Sequence, residues 1–122
     1  MLIHIVSPIP VYPTPLTPGA AISSGGFIAS YQQELEVYAK KSLDQIVQER
    51  VSEGIESQTR VCLGDAANEI VGTAADEHAD LIVIATHGLT GWRRFMFGSV
   101  AEKVVRLAQC PVLTIQGPQG EE

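Results

Sequence analysis

Cysteine is nearly absent from this sequence: Cys62 and Cys110 are the two it has, far apart and with no Cys-x-x-Cys spacing. Thiol redox catalysis therefore lacks a candidate, and both residues read as small, reduced hydrophobes at a strand end and a helix end. Positive charge is also scarce. Eight Lys and Arg against 14 Asp and Glu leave a net charge of -6, which argues against a general nucleic-acid or membrane surface. No apolar run reaches the roughly 18 residues of a membrane-spanning helix. The opening MLIHIVSPIPVYP has neither the basic start nor the continuous apolar core of a signal peptide, so the expected location is the cytoplasm. Ser-His-Asp sets and paired carboxylates are missing, and His87 has no Cys, Asp or second His at ligand spacing. Covalent catalysis and a metal centre are not expected.

What is present fits one soluble domain over residues 1–122, with 45% hydrophobic and 18% charged residues. Residues 1–6 read as a short apolar strand interrupted by His4. Pro8, Pro10, Pro13, Pro15 and Pro18, followed by Gly19 and Ser23-Ser24-Gly25-Gly26, mark 7–26 as an extended loop. From Phe27 the pattern turns helical. Phe27, Tyr31, Leu35, Tyr38, Leu43, Ile46, Val47 and Val51 keep to one broad face that reads as core, and Gly54 is the natural stop. Thr59 to Leu63 is a second strand, and Asp65 is placed to cap a helix from Ala66 to His78. Leu81 to Ala85 is an unbroken aliphatic run of the kind buried on both faces of a parallel sheet. Ser99 to Gln109 forms a third helix with Val100, Val104, Val105 and Ala108 inward. Cys110-Pro111 ends it, Val112 to Ile115 is the last strand, and 117–122 is a flexible polar tail. Four strands alternating with three helices imply a parallel α/β sheet with ligands beyond the carboxyl ends of the strands.

The stretch from Leu81 to Val100 lies at such an end, and its strand-to-helix loop is about twice the usual 2–6 residues. Gly88 and Gly91 serve equally as turn residues or as points where backbone approaches a ligand closely. Ser99-Val100-Ala101-Glu102 is an S-x-x-E capping box, and the start of that helix points N–H groups and a positive dipole end into the loop. Residues 86–110 carry Arg93, Arg94, Lys103 and Arg106 against Glu102 alone, a local +3 that favours a small anion. His87 shapes the loop or touches that anion, and Trp92, Phe95, Met96 and Phe97 read as an inward-folded plug, with a stacking platform or a contact with a partner chain as alternatives.

Ala85-Thr86-His87-Gly88, nine residues, then Gly98-Ser99 resembles the Gly-x2-Gly-x9-Gly-Ser/Thr nucleotide signature of the universal stress protein family. Gly64-Asp65-Ala66, the run ADLIV before the signature and GSVAEKVVRLAQCPVLTI after it agree, and the resemblance extends from Leu2 to Gln116. It implies a three-layer parallel sheet of the adenine-nucleotide α-hydrolase-like, flavodoxin-like and Rossmann-type kind. It also implies a binding module for ATP or AMP, with or without Mg2+, that acts as a regulatory or stress-protective homodimer through strand 112–115. Carried over residue by residue, phosphate contacts fall on Gly88, Gly98, Ser99 and Val100, with His87 beside them. Ile84 and Ala85 approach the ribose and phosphates, and Ile5 meets the adenine edge.

Two departures accompany the resemblance. Ala85 stands where the family has its first glycine, and the sequence begins at what corresponds to the second family strand, without the first strand, its helix and its adenine-contacting Asp. Three resolutions stay open: a rearranged four-stranded sheet, exchange of elements between two chains, or a longer natural product. On the same scaffold the alternative function is a protein-interaction module that binds no nucleotide. Hydrolysis of ATP, if any, is expected to be slow, since no positioned general base is evident.

Overall fold

In the computed structural model, which describes residues 1–10, 21–86 and 98–116, seven elements follow the expected order β-α-β-α-β-α-β. They gather into two units, Met1–Gly64 and Asp65–Glu122. Each unit is built on one pair of parallel strands.

The first unit contains β1 (Leu2–Val6), α1 (Ala21–Arg50) and β2 (Thr59–Leu63). Parallel pairing runs in register from Leu2 opposite Thr59 to Val6 opposite Leu63, and Gly64 N–H extends it by donating to Val6 O at 3.1 Å. Ala39 and Leu43 bury one face of α1, and small Ala39 lets the helix approach closely. A polar knot fastens helix to strand. Lys40 Nζ reaches Asp44 Oδ1 and Oδ2 at 2.6 and 2.8 Å and Thr59 Oγ1 at 2.6 Å, and the Thr59 hydroxyl donates to Asp44 at 2.5 Å. Two favourable contacts, the Lys40 ammonium first and the Thr59 hydroxyl second, hold the Asp44 carboxyl below the usual aspartate range.

Three expectations for α1 change. It starts at Ala21 rather than Phe27, so Ser23 to Gly26 belong to the helix and not to the proline-rich loop. Each Ser or Gly costs a growing helix under about 1 kcal/mol, whereas a proline ring bars it, and the last proline upstream is Pro18. The helix ends at Arg50, and Gly54 (φ 89) turns the chain further on. The aromatic stripe is not core: Phe27 is 77% exposed, Tyr38 72% and Tyr31 51%. Two strands about 4.8 Å apart are narrower than a helix of 10–12 Å, so they cover only the Ala39–Leu43 side.

The second unit holds α2 (Ala66–Asp76), β3 (Ile82–Ala85), α3 (Ser99–Leu107) and β4 (Val112–Ile115). Its core joins Ala67 and Ala74 of α2, Ile82 of β3 and fully buried Val104 of α3, with Ile70, Val71, Ile84 and Val112 packed around them. As expected, Asp65 caps α2, accepting from Asn68 N–H at 3.0 Å. The strand expected to be buried on both faces is not. Ile82 and Ile84 face the core, while Val83 is exposed, as are its register partner Leu113 and, two pairs on, Ile115.

Helix α2 stops at Asp76, two residues before the expected His78. His78 N–H donates to Ala75 O at 3.1 Å and Ala79 N–H to Ala74 O at 2.8 Å, the paired bonds of a Schellman ending, with His78 in the left-handed position at φ 50. A side chain is strained there by about 1 kcal/mol relative to glycine. His78→Gly should therefore raise the urea midpoint, by roughly 0.5–1 kcal/mol of stability; a lowered midpoint would contradict this reading of the turn.

Candidate functional site

At the carboxyl end of β3 the chain leaves the sheet under tight control. Thr86 N–H donates to Ile115 O at 2.8 Å, extending the β3–β4 ladder by one bond, and the Thr86 hydroxyl reaches the same oxygen at 3.4 Å. Thr86 O then accepts from Gly98 N–H at 2.7 Å. This bond clasps the two ends of the segment 87–97 together. A Cβ on Gly98 would lie 3.1 Å from Thr86 O, tighter than an ordinary contact, so glycine lets the chain approach itself this closely without a shift of the Thr86 carbonyl.

The clasp also sets the first residue of α3. With its N–H taken by Thr86, Gly98 offers its carbonyl to Glu102 N–H at 2.9 Å and becomes the N-cap at φ -59, ψ 146. Ser99 is thus the first helical residue, and the capping box expected of Ser99 and Glu102 does not form: among the described residues no side chain caps this helix. The N–H groups of Ser99, Val100 and Ala101 precede the first intrahelical bond, at the positive end of the helix dipole. Ser99 is exposed, Val100 partly so, and Ala101 is buried beneath them. An uncapped, solvent-facing helix start can bind an oxyanion without displacing an internal partner.

Five expected site residues come together here: Ile84, Ala85, Gly98, Ser99 and Val100, all at the β3–α3 end of the second unit. Ala85 is exposed, and the half-buried Ile84 packs on the core. His87 and Gly88 lie outside the described residues, as do Trp92, Arg93, Arg94, Phe95, Met96 and Phe97. Ile5 belongs to the first unit. There it pairs with Cys62 and lines an open cleft of about 380 Å3 with His4, Val6 and Ser7, closed on its far side by Leu35, Tyr38, Ala39 and Leu43 of α1. Thr86 was not singled out by the sequence. Its position inside the nucleotide-type signature is the signal that could have found it.

The local positive charge is less available than the sequence suggests. Lys103 Nζ binds Asp65 Oδ1 at 3.0 Å, and Arg106 sits in the last turn of α3, about 10 Å along the axis from Ser99. Among the described residues, the positive feature nearest the loop is the helix start itself. No group of three or more His, Cys, Asp and Glu among them is arranged to hold a metal ion, and no helix is long and apolar enough to cross a membrane. Both cysteines are free and half-buried.

The Lys103 ammonium and then the Asn68 N–H hold the Asp65 carboxyl below its ordinary value of 3.8. A carboxyl with a depressed folded value stabilises the fold above the unfolded value, and that contribution fades as pH falls through the folded one. Asn caps as well as Asp, so Asp65→Asn removes mainly the charge. The melting temperature of wild type should exceed that of Asp65→Asn by a small, constant margin above the aspartate range, and the margin should close below it. A margin that widens on acidification would contradict the pairing.

Comparison with known proteins adds the family context. The model of the universal stress protein family matches residues 2–116. Universal stress protein MJ0531 of Methanocaldococcus jannaschii is 33% identical over 111 residues, 91% of this chain and 65% of its own length. Universal stress protein YxiE of Bacillus subtilis is 31% identical over 90 residues, 74% of this chain and 61% of its own. The chain therefore spans less than two thirds of the length of these curated relatives. The solved structure of MJ0577, another protein of the Methanocaldococcus organism, superposes with a TM-score of 0.77 at 25% identity, covering 98% of this chain and 76% of that one. The α/β architecture, with parallel strand pairs and three helices, is thus a Rossmann-like fold shared with that structure.

Proposed function

The chain belongs to the universal stress protein family, and from that premise we propose that it binds an adenine nucleotide, ATP or AMP, with the phosphates at the start of α3. One observation carries the reading: the α3 N-terminus, whose first residue is set by the Thr86–Gly98 bond, has no side-chain cap among the described residues. The residues present fit a phosphate group. Backbone N–H groups of Ser99 and Val100 would hold its oxygens and the Ser99 hydroxyl would add a donor; His87 and Gly88 of the same signature lie outside the described residues. Ala85 and Ile84 would border the ribose, and Ala85 narrows that approach by one methyl group compared with glycine.

Bound Mg2+, where present, would neutralise phosphate charge. The chain's own part is to bind and orient, so the reading is a regulatory or stress-protective binding module of the cytoplasm and not an efficient hydrolase. A homodimer through β4 suits the exposed Leu113 and Ile115 on that strand. Those same residues, with Val83, form an apolar face that favours the second reading, a protein-interaction module that binds no nucleotide.

Calorimetric titration with ATP and AMP, with and without Mg2+, separates the two readings. Binding is expected in the micromolar to millimolar range; no heat at millimolar nucleotide would favour the interaction module. Ser99→Glu is the sharper variant, because a carboxylate in the first turn suits the helix dipole by about 0.3–1 kcal/mol yet repels phosphate. The variant should keep or raise its melting temperature and lose nucleotide binding. Retained affinity would remove the phosphates from α3.

A further inference from the structure

The outer face of α1 carries an apolar stripe that the first unit's own strands leave open. Phe27, Tyr31, Leu35, Tyr38 and Ile46 follow one another at spacings of four, four, three and eight residues, which keeps them on one broad side of the helix over about 28 Å. Phe27 is 77% exposed, Tyr38 72% and Ile46 45%. Three aromatic side chains of about 150–250 Å2 each, half or more exposed, approach the few hundred Å2 that is already large for a monomer's open apolar patch. Tyr38, Leu35 and Ile46 also line the open cleft of about 380 Å3, so stripe and cleft form one continuous surface.

Charge identifies what fits this surface. Glu34 and Lys41 are exposed, and neither has an ion-pair partner among the described residues. They lie seven residues apart, two turns, and so stand on the same flank of the stripe. Lys40, by contrast, is committed to Asp44. When two copies of a helix pack antiparallel about a two-fold axis, each flank meets its own copy, and residue i meets j while j meets i. An axis near residue 37 sets Glu34 against Lys41 twice. An axis one residue away, about 1.5 Å along the helix, sets Phe27 against Ile46, Tyr31 against Ser42 and Leu35 against Tyr38. Apolar and charged positions thus centre within one residue of each other, close enough for side chains to meet both ways about a single axis.

We propose that α1 is a self-association surface whose occupant is a second copy of this chain, packed antiparallel with its axis near residue 37. Aromatic side chains from each copy fill the space beside the other's Leu35 and Tyr38, and two Glu34–Lys41 pairs fix the register. The α1 surface belongs to the first unit and β4 to the second, and the proposal stands whether or not β4 pairs.

Sedimentation equilibrium on the full chain, read as a dimer dissociation constant, tests it through charge reversal at exposed positions that leave the core untouched. Glu34→Lys and Lys41→Glu each turn two attractions into two repulsions, and each should weaken association about tenfold. The double variant E34K/K41E restores opposite charge across the axis and should return to within about twofold of wild type. Tyr38→Glu should remove this association step altogether. The proposal is overturned if the chain is monomeric at all concentrations, if the double variant is no tighter than the singles, or if Tyr38→Glu associates as wild type does.

Discussion

A single hydrogen bond, from Gly98 N–H to Thr86 O at 2.7 Å, is the constraint on which the candidate site depends. It joins the exit of β3 to the entrance of α3, so the intervening segment is closed at its base whatever its own path. It also occupies the N–H of the residue that would otherwise begin the helix. The first turn is thereby shifted one residue, Ser99 loses its capping position, and the N–H groups of Ser99, Val100 and Ala101 are left without an intrahelical partner. Glycine is what permits this, because a Cβ at position 98 would crowd the Thr86 carbonyl.

Beneath the clasp lies a small but well-chosen core. Val104, fully buried one turn into α3, packs with Ala67 and Ala74 of α2 and Ile82 of β3, and the Lys103–Asp65 pair ties the flank of α3 to the start of α2. Small residues on α2 let the two helices approach, and the β3–β4 ladder anchors Thr86. In the first unit the Lys40–Asp44–Thr59 knot plays the corresponding role, holding one face of α1 to β2. A large part of the apolar surface of that helix is then left on the outside, which is what makes its Glu34–Lys41 flank informative.

Much of this was legible in the sequence for identifiable reasons. Thr59 to Leu63 and Val112 to Ile115 are rich in β-branched residues and bounded by polar, glycine or proline turns, so their limits agree with the structure. Asp65 stands before an apolar helical pattern and caps it. What misled was information that a one-dimensional pattern does not hold. Periodicity finds the stripe from Phe27 to Val51 but not which side meets two narrow strands. Ser99 and Glu102 satisfy the spacing of a capping box, yet the register is decided by Thr86, which enters from another element. The Ser-Gly cluster at 23–26 suggests a loop, although nothing in it forbids a helix as proline does.

The central claim, that the open start of α3 is the anion site of this universal stress protein family member, is tested most directly by amide NMR during titration with ATP and Mg2+. The account predicts that the amide protons of Ser99, Val100 and Ala101 move furthest, downfield and saturably, with Gly98 and Thr86 moving less because their groups are already bonded to each other. Saturable shifts elsewhere that leave Ser99 to Ala101 unmoved would contradict it.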